Sequence, residues 1–98
     1  MKKHSFYSMM RRNGKNQAVL HNGYSNSTFY YYKNYYHWEA IHPLCGLSVT
    51  SGQTLKEAAK NANAPGMMEK INEAMSRNGK QLTAAFEKAI SELKGGAA

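Results

Sequence analysis

The stretch that decides the predicted fold is Thr28-Phe-Tyr-Tyr-Tyr-Lys-Asn-Tyr-Tyr-His-Trp-Glu-Ala-Ile-His42. Aromatic and β-branched residues dominate it, and these residue types suit a pleated, half-buried surface. Because a single strand usually has only ~5–6 residues, the polar pair Lys33-Asn34 is predicted to turn a hairpin between strands at 28–32 and 35–42. Pro43 ends the second strand, since proline has no N–H to donate to a ladder.

Weaker strand signals flank this hairpin. Residues 17–20 form a strand candidate, and Asn22-Gly23 after them is a typical type I′ turn signal. Residues 47–50 alternate with period two and are predicted to return as a further strand. Residues 1–16 show no clean period and contain the turn signal Asn13-Gly14, so we expect a basic arm that is flexible or only partly ordered.

The last part of the chain carries helical patterns. Thr54 and Glu57 have the spacing of a capping box, in which each side chain satisfies an unpaired backbone N–H of the other residue. Gly79 favours the left-handed conformation that ends many helices, so a helix end is predicted at 77–79. The predicted helices are 54–62, 65–79 and 82–93, and a frayed tail is predicted at 95–98.

This order of elements, with strands before helices, predicts an α+β fold. We expect an antiparallel β-meander of three to four strands followed by two to three amphipathic helices. The expected organisation is a single domain over 1–98, with the basic arm at 1–16, the meander at 17–50 and the helical part at 54–94.

Charge is distributed unevenly along the 98 residues, whose net charge is +7. Residues 1–38 contain six basic residues and no acidic residue, whereas the remainder is nearly neutral. Such asymmetry indicates a polyanionic or acidic partner. The expected partner is therefore a nucleic acid, a nucleoprotein complex or an acidic protein surface.

Aromatic residues stand beside these cations. Side chains alternate across a strand, so Phe29 and Tyr31 share one face of the predicted sheet and Tyr30 and Tyr32 the other. Because the helices can cover only one face, we expect the other rings to be partly exposed, where they could stack on bases or anchor a protein interface. The candidate binding residues are Lys2, Lys3, Arg11, Arg12, Lys15, Tyr30, Tyr32, Lys33, Tyr35, Tyr36 and Trp38.

Residue types that carry catalysis or bind metal do not converge in this sequence. His37 and His42 are separated by an odd offset that points them to opposite faces of one strand, which makes them poor co-ligands. The single cysteine, Cys45, has no internal disulfide partner and fits a reducing compartment. We therefore predict no enzyme activity, no catalytic residue, no metal site and no cofactor.

The N-terminal residues are charged, and no apolar segment follows them that would make a signal peptide or a membrane span. We therefore expect a cytoplasmic protein with no membrane partner, which would be located in the host cell cytoplasm if a phage encodes it. Formation of a homo-oligomer is left open.

Residues 43–62 resemble the strand-to-helix signature of HicB-type antitoxins. A proline turn at Pro43 precedes a strand, and Gly52-x-Thr54-x-x-Glu57-Ala58 opens the following helix. The resemblance implies a ββα unit that binds a partner and has no catalytic role. The chain departs from that family in its basic character, since those antitoxins are commonly acidic.

Two hypotheses for the function follow. The first is a small non-enzymatic regulator or inhibitor of phage or mobile-element type, similar in size and charge to anti-CRISPR proteins, that docks on a nucleic acid or nucleoprotein complex. The alternative is a HicB-like antitoxin or protein–protein adaptor that uses the aromatic face or a sheet edge.

Overall fold

The computed structural model describes residues 1–95, so the predicted tail beyond Gly95 lies outside the described residues. Within this range the chain forms five strands and two helices, which are β1 (Lys2–Arg12), β2 (Lys15–Ser25), β3 (Tyr30–Asn34), β4 (His37–Ile41), β5 (Ser48–Gly52), α1 (Leu55–Ala62) and α2 (Met67–Gly95).

The strands form one antiparallel sheet in the order β1-β2-β3-β4-β5, a meander. The α+β fold predicted from the sequence is confirmed. The meander has five strands instead of the three or four predicted, and two helices follow it.

The first sixteen residues are not a flexible arm. They form β1 and the turn of a long hairpin, in which eleven residues of β1 pair with eleven of β2, from Lys2 opposite Ser25 to Arg12 opposite Lys15. Asn13-Gly14 forms the turn with positive φ angles of 52° and 77°, as a two-residue type I′ connection requires. The strand lacks a clean sequence period because both of its faces are covered, so apolar residues occur on each of them.

Asn22-Gly23 is not a turn, contrary to the sequence prediction, but lies within β2. A Cβ atom on Gly23 would lie 2.0 Å from the Tyr31 carbonyl oxygen and 3.0 Å from the Phe6 ring. Glycine is therefore required here because the backbone of β3 and a ring from β1 both approach β2 closely.

The sheet is strongly curled. Only Tyr24 with Tyr31 and Ser25 with Tyr30 link β2 to β3. From Gly23 back toward its turn, the β1–β2 hairpin is therefore not paired with β3. At the other edge of the hairpin, the Met9 N–H donates to the Gly46 carbonyl at 2.8 Å. The free edge of the first strand thus meets the loop between the last two strands.

The β3–β4 turn lies two residues later than predicted. Its central residues are Tyr35 and Tyr36, while Lys33 and Asn34 end β3, paired with Trp38 and His37. Tyr35 has a φ of 57°, a left-handed conformation that glycine and asparagine adopt far more readily than tyrosine.

The main core lies between α1 and one face of β3 and β4. Phe29, Tyr31 and Ala40 pack there against Ala58 and Ala62 of α1. Thr54 caps the start of α1 as predicted, and its hydroxyl accepts a hydrogen bond from the Glu57 N–H at 3.0 Å.

The two later helices predicted from the sequence are a single helix of 29 residues. Gly79 does not end it, because Ile71 is buried before the glycine and Phe86 after it. Anchoring on both sides outweighs the ~1 kcal/mol by which glycine disfavours a helix interior. No helix within residues 1–95 is long and apolar enough to cross a bilayer.

A second core fixes α2 on the β1–β2 hairpin. Phe86 and Ala89 pack on Met9 and Ala18, which are cross-strand neighbours. The long helix thus covers the middle of the hairpin and leaves its turn exposed.

Candidate functional site

The exposed end of the β1–β2 hairpin carries three cations, Arg11, Arg12 and Lys15, around the turn Asn13-Gly14. We call these five residues the cationic tip. Arg12 lies directly opposite Lys15 in the ladder. Like charges in directly opposite positions repel and destabilise a sheet by ~0.2–1 kcal/mol. An anion bound between the two cations would remove that repulsion.

The cations of the tip point to both faces of the hairpin. Side chains alternate along a strand, so Arg12 and Lys15 share one face while Arg11 lies on the other, opposite Asn16. All residues from 11 to 17 are exposed. The tip can therefore contact a partner with either face and with its end.

Carboxylates do not neutralise the cationic tip. The ion pairs within residues 1–95 are His37 with Glu39 and Arg77 with Glu73, and neither involves the tip. A groove between β2 and α2 runs alongside, where Lys88 adds a positive charge and Glu92 a negative one to the wall formed by Lys15. The positive potential of the tip is thus available to a partner.

Lys2 and Lys3, also predicted to bind, lie at the opposite end of the hairpin. They pair with Ser25 and Tyr24, nine residue steps from the cationic tip, which is a distance of ~30 Å along a strand. The prediction that all the N-terminal cations share one contact zone with the tyrosines is therefore wrong.

The rings of 29–32 do not form an exposed stacking face. Tyr31 is fully buried beneath α1, and Tyr32, predicted to be exposed, is only 6% exposed on the other face. Tyr30 is half-buried beside it. This face is covered without a helix, because the curl of the sheet folds β1 side chains over β3.

An aromatic cluster produces that burial. Phe6 stacks on Tyr30 with centroids 4.9 Å apart, above the gap that Gly23 leaves open. His21 stacks on Tyr32 at 3.7 Å with an interplanar angle of 12°. These contacts fasten the hairpin to the rest of the sheet.

His21 and Ser8 extend the cluster, with Ser8 Oγ and His21 Nε2 2.7 Å apart. Burial lowers the pKa of His21, which favours the neutral imidazole. Burial, and then the negative charge of Glu39, raise the pKa of Tyr32. Although serine and histidine at this distance could begin a catalytic relay, Ser8 is 1% exposed, so a substrate does not reach it. The pair is better explained as a satisfied polar contact in the core.

Two tyrosines at the β3–β4 turn are fully available. Tyr35 is 87% exposed and Tyr36 is 93% exposed. We call these two residues the tyrosine tip. Lys33 beside them is exposed, whereas Trp38 is half-buried against the main core. Among the predicted aromatic binding residues, the structure thus leaves these two most accessible.

Two further histidines make local contacts. His37 Nε2 and Glu39 Oε1 are 3.0 Å apart, and burial lowers the pKa of His42, whose Nδ1 accepts from the Leu44 N–H at 3.2 Å. Cys45 is a buried free thiol. Residues 1–95 contain no group of three or more histidine, cysteine or acidic side chains arranged to hold a metal ion.

Sequence reasoning missed one amide of the cationic tip, Asn13, and two amides and one lysine that adjoin the tip: Asn16, Gln17 and Lys88. The type I′ signal of Asn13-Gly14 could have located the amides, had residues 1–12 been interpreted as a strand.

Comparison of the chain with protein-family models, with curated proteins and with solved structures finds no match.

Proposed function

We propose that this protein is a non-enzymatic nucleic-acid-binding regulator that contacts the phosphate backbone with its cationic tip. The observation that carries the proposal is the pair Arg12 and Lys15, directly opposite one another on an exposed turn and without a carboxylate partner within residues 1–95. Folding alone favours separation of the two charges, whereas a phosphate between them offers each a charge-assisted contact.

The shape of the hairpin suits duplex binding. Two antiparallel strands lie ~4.8 Å apart, and the major groove of B-DNA, ~12 Å wide, admits such a two-stranded ribbon. Arg11, Arg12 and Lys15 would contact phosphates on the groove walls. Asn16 and Gln17, both exposed next to them, present amides that can hydrogen-bond to base edges.

A regulatory role follows from binding alone. A ribbon in the groove occupies nucleic-acid surface that other proteins use, so inhibition requires no catalytic group. Action on a nucleoprotein complex, in the manner of an anti-CRISPR protein, remains a more specific prediction of the same idea.

The test compares two double variants with the same change of net charge. Arg12→Gln with Lys15→Gln removes two charges from the cationic tip, and Lys2→Gln with Lys3→Gln removes two from the other end of the hairpin. Fluorescence anisotropy with a labelled duplex should show an affinity loss on the order of tenfold for the first variant. For the same variant, the slope of log K against the logarithm of the salt concentration should be shallower by about two, since each neutralised phosphate contributes ~0.9 to that slope.

The lysine variant is the matched control. It should retain most of the affinity, because Lys2 and Lys3 lie ~30 Å from the cationic tip along the strand. Equal losses in the two variants would show that only overall charge matters and would overturn the proposed site.

The alternative is an antitoxin-like protein that binds a protein partner. Its support is that β5 and α1 lie in the segment 43–62 that resembles HicB-type antitoxins, and that they form a ββα unit with the preceding strand β4. Binding to a protein partner should persist at high salt and after nuclease treatment. A pull-down from lysate can be carried out with and without nuclease. If the protein captures the same partners in both cases, this alternative is favoured over nucleic-acid binding.

A further inference from the structure

The tyrosine tip is a costly way to build a turn. Tyr35 holds a left-handed φ of 57°, which costs ~1–2 kcal/mol for a residue with a Cβ atom relative to glycine. Neither ring gains burial in return, since both are almost fully exposed. Strained and exposed residues of this kind concentrate at functional sites.

The surroundings of the tyrosine tip are cationic and polar. Lys33 is exposed, Asn34 is half-exposed, and the neighbouring carboxylate of Glu39 is engaged with His37 at 3.0 Å. Protein interfaces place aromatic anchors in apolar surroundings and are depleted in lysine. Isolated rings beside a lysine are closer to a single-strand binding surface, in which rings stack on bases and cations hold phosphates.

Strand register shows how the two tips are related. The pair Tyr24 with Tyr31 lies at the base of both hairpins. From this pair β2 runs back nine residues to Lys15, and β3 runs in the same direction for three residues to Asn34. Both turns therefore lie on the same side of this pair, and Lys15 is six residues farther from it than Asn34, which is ~20 Å of extended strand.

We infer that the tyrosine tip stacks on unpaired bases, so that the preferred ligand is a duplex joined to a single strand. This inference rests on the proposed function, because the cationic tip supplies the duplex contact. A separation of ~20 Å corresponds to about six base pairs of B-form duplex at 3.4 Å per pair. One ligand can therefore span both tips.

The experiment uses two labelled probes that share a duplex of the same sequence, one blunt and one extended by a ten-nucleotide single strand. The wild-type protein should bind the extended probe roughly fivefold or more tightly than the blunt one, as expected for one stacked base. Tyr35→Asn with Tyr36→Gly should abolish that preference and leave affinity for the blunt probe unchanged. Asparagine adopts the left-handed φ of position 35 more readily than tyrosine, and the Tyr36 ring is exposed, so misfolding is not expected to confound the variant, and thermal melting verifies this.

A second variant separates the ring from the hydroxyl. Tyr35→Phe with Tyr36→Phe keeps both rings and should retain the preference for the extended probe. The inference is overturned if the wild-type protein binds the two probes equally, or if the Asn-Gly variant keeps the preference, as would occur if the rings served a protein partner. Failure of the proposed function would differ, since Arg12→Gln with Lys15→Gln would then leave affinity for both probes intact.

Discussion

Two of the β-hairpins within residues 1–95 have two-residue turns, and these two turns follow opposite rules. The β1–β2 hairpin turns through Asn13-Gly14, residues that adopt positive φ angles at little cost. The β3–β4 hairpin turns through Tyr35 and Tyr36, one of which is forced into the same region. The first turn consists of residues that suit it and is flanked by cations, whereas the second exposes two tyrosine rings at a cost in backbone strain.

This difference separates two kinds of unfavourable feature at exposed turns of one small protein. At the cationic tip the turn residues are ideal and the unfavourable feature is the like-charge pair of Arg12 and Lys15. At the tyrosine tip the unfavourable feature is the backbone itself. In both places folding alone would favour other residues, and the proposed nucleic-acid contact would account for the cations.

The largest effect is expected where the two hairpins meet. Gly23→Val would place side-chain atoms against the Tyr31 carbonyl and the Phe6 ring, and should lower the free energy of unfolding by about 3 kcal/mol. Urea denaturation followed by circular dichroism measures this loss. Asn22→Val, at an exposed neighbouring position, is the control and should cost less than about 1 kcal/mol. Similar losses for both variants would mean that Gly23 is not required for the close approach.

Exchange of the turn residues tests the comparison directly. Asn13→Tyr with Gly14→Tyr should destabilise the protein by about 2 kcal/mol, since both positions have positive φ. Tyr35→Asn, at the only position of the β3–β4 turn with a positive φ, should stabilise it by about 1 kcal/mol. Chemical denaturation of both variants gives the two values, and a loss of stability in Tyr35→Asn would show that the Tyr35 side chain supports the fold.

Gly79→Ala tests whether α2 is one helix. The nearest atom to the added methyl would be the Met75 Cε, 3.4 Å away, so the space is available. Alanine should raise the free energy of unfolding by about 1 kcal/mol through helix propensity. A destabilising result would indicate that the chain bends at this glycine as the sequence predicts.

Acid should weaken the contact that joins the hairpins. Burial lowers the folded-state pKa of His21 and of His42 below the ordinary value of ~6.5. The unfolded chain therefore binds protons first as the pH falls, and stability is lost from about pH 6.5 downward. His21→Gln keeps a polar partner for Ser8 and should flatten the dependence in denaturation curves recorded between pH 7.5 and 5.5. An unchanged slope in this variant would exclude His21 as the source.

The strong local patterns predicted much of the fold. The aromatic run predicted β3 and β4, and the Thr54–Glu57 spacing predicted the start of α1. The helix break at 77–79 was predicted because glycine is a weak helix former, and this prediction was wrong. The apolar stripe nevertheless continues in phase from Met75 to Leu82, a seven-residue step that a true break would rarely preserve.

The N-terminal strand was missed because its signal depends on distant residues. Phe6 is buried by rings of β3, and Met9 by Phe86, 77 positions later. Neither contact produces an alternation of apolar and polar residues within the strand itself. The same limit applies to the site. Residue types predicted the cations and the exposed tyrosines, but the separation of Lys2 and Lys3 from Arg12 follows only from the register of the hairpin.

Nuclear magnetic resonance titration of the full chain with a short duplex tests the central claim most directly. Backbone amide signals of residues 11–17 should shift on addition of duplex, together with that of Lys88, while those of Lys2 and Lys3 stay in place. Shifts centred on residues 2–3, with the amides of the cationic tip unmoved, would contradict the account.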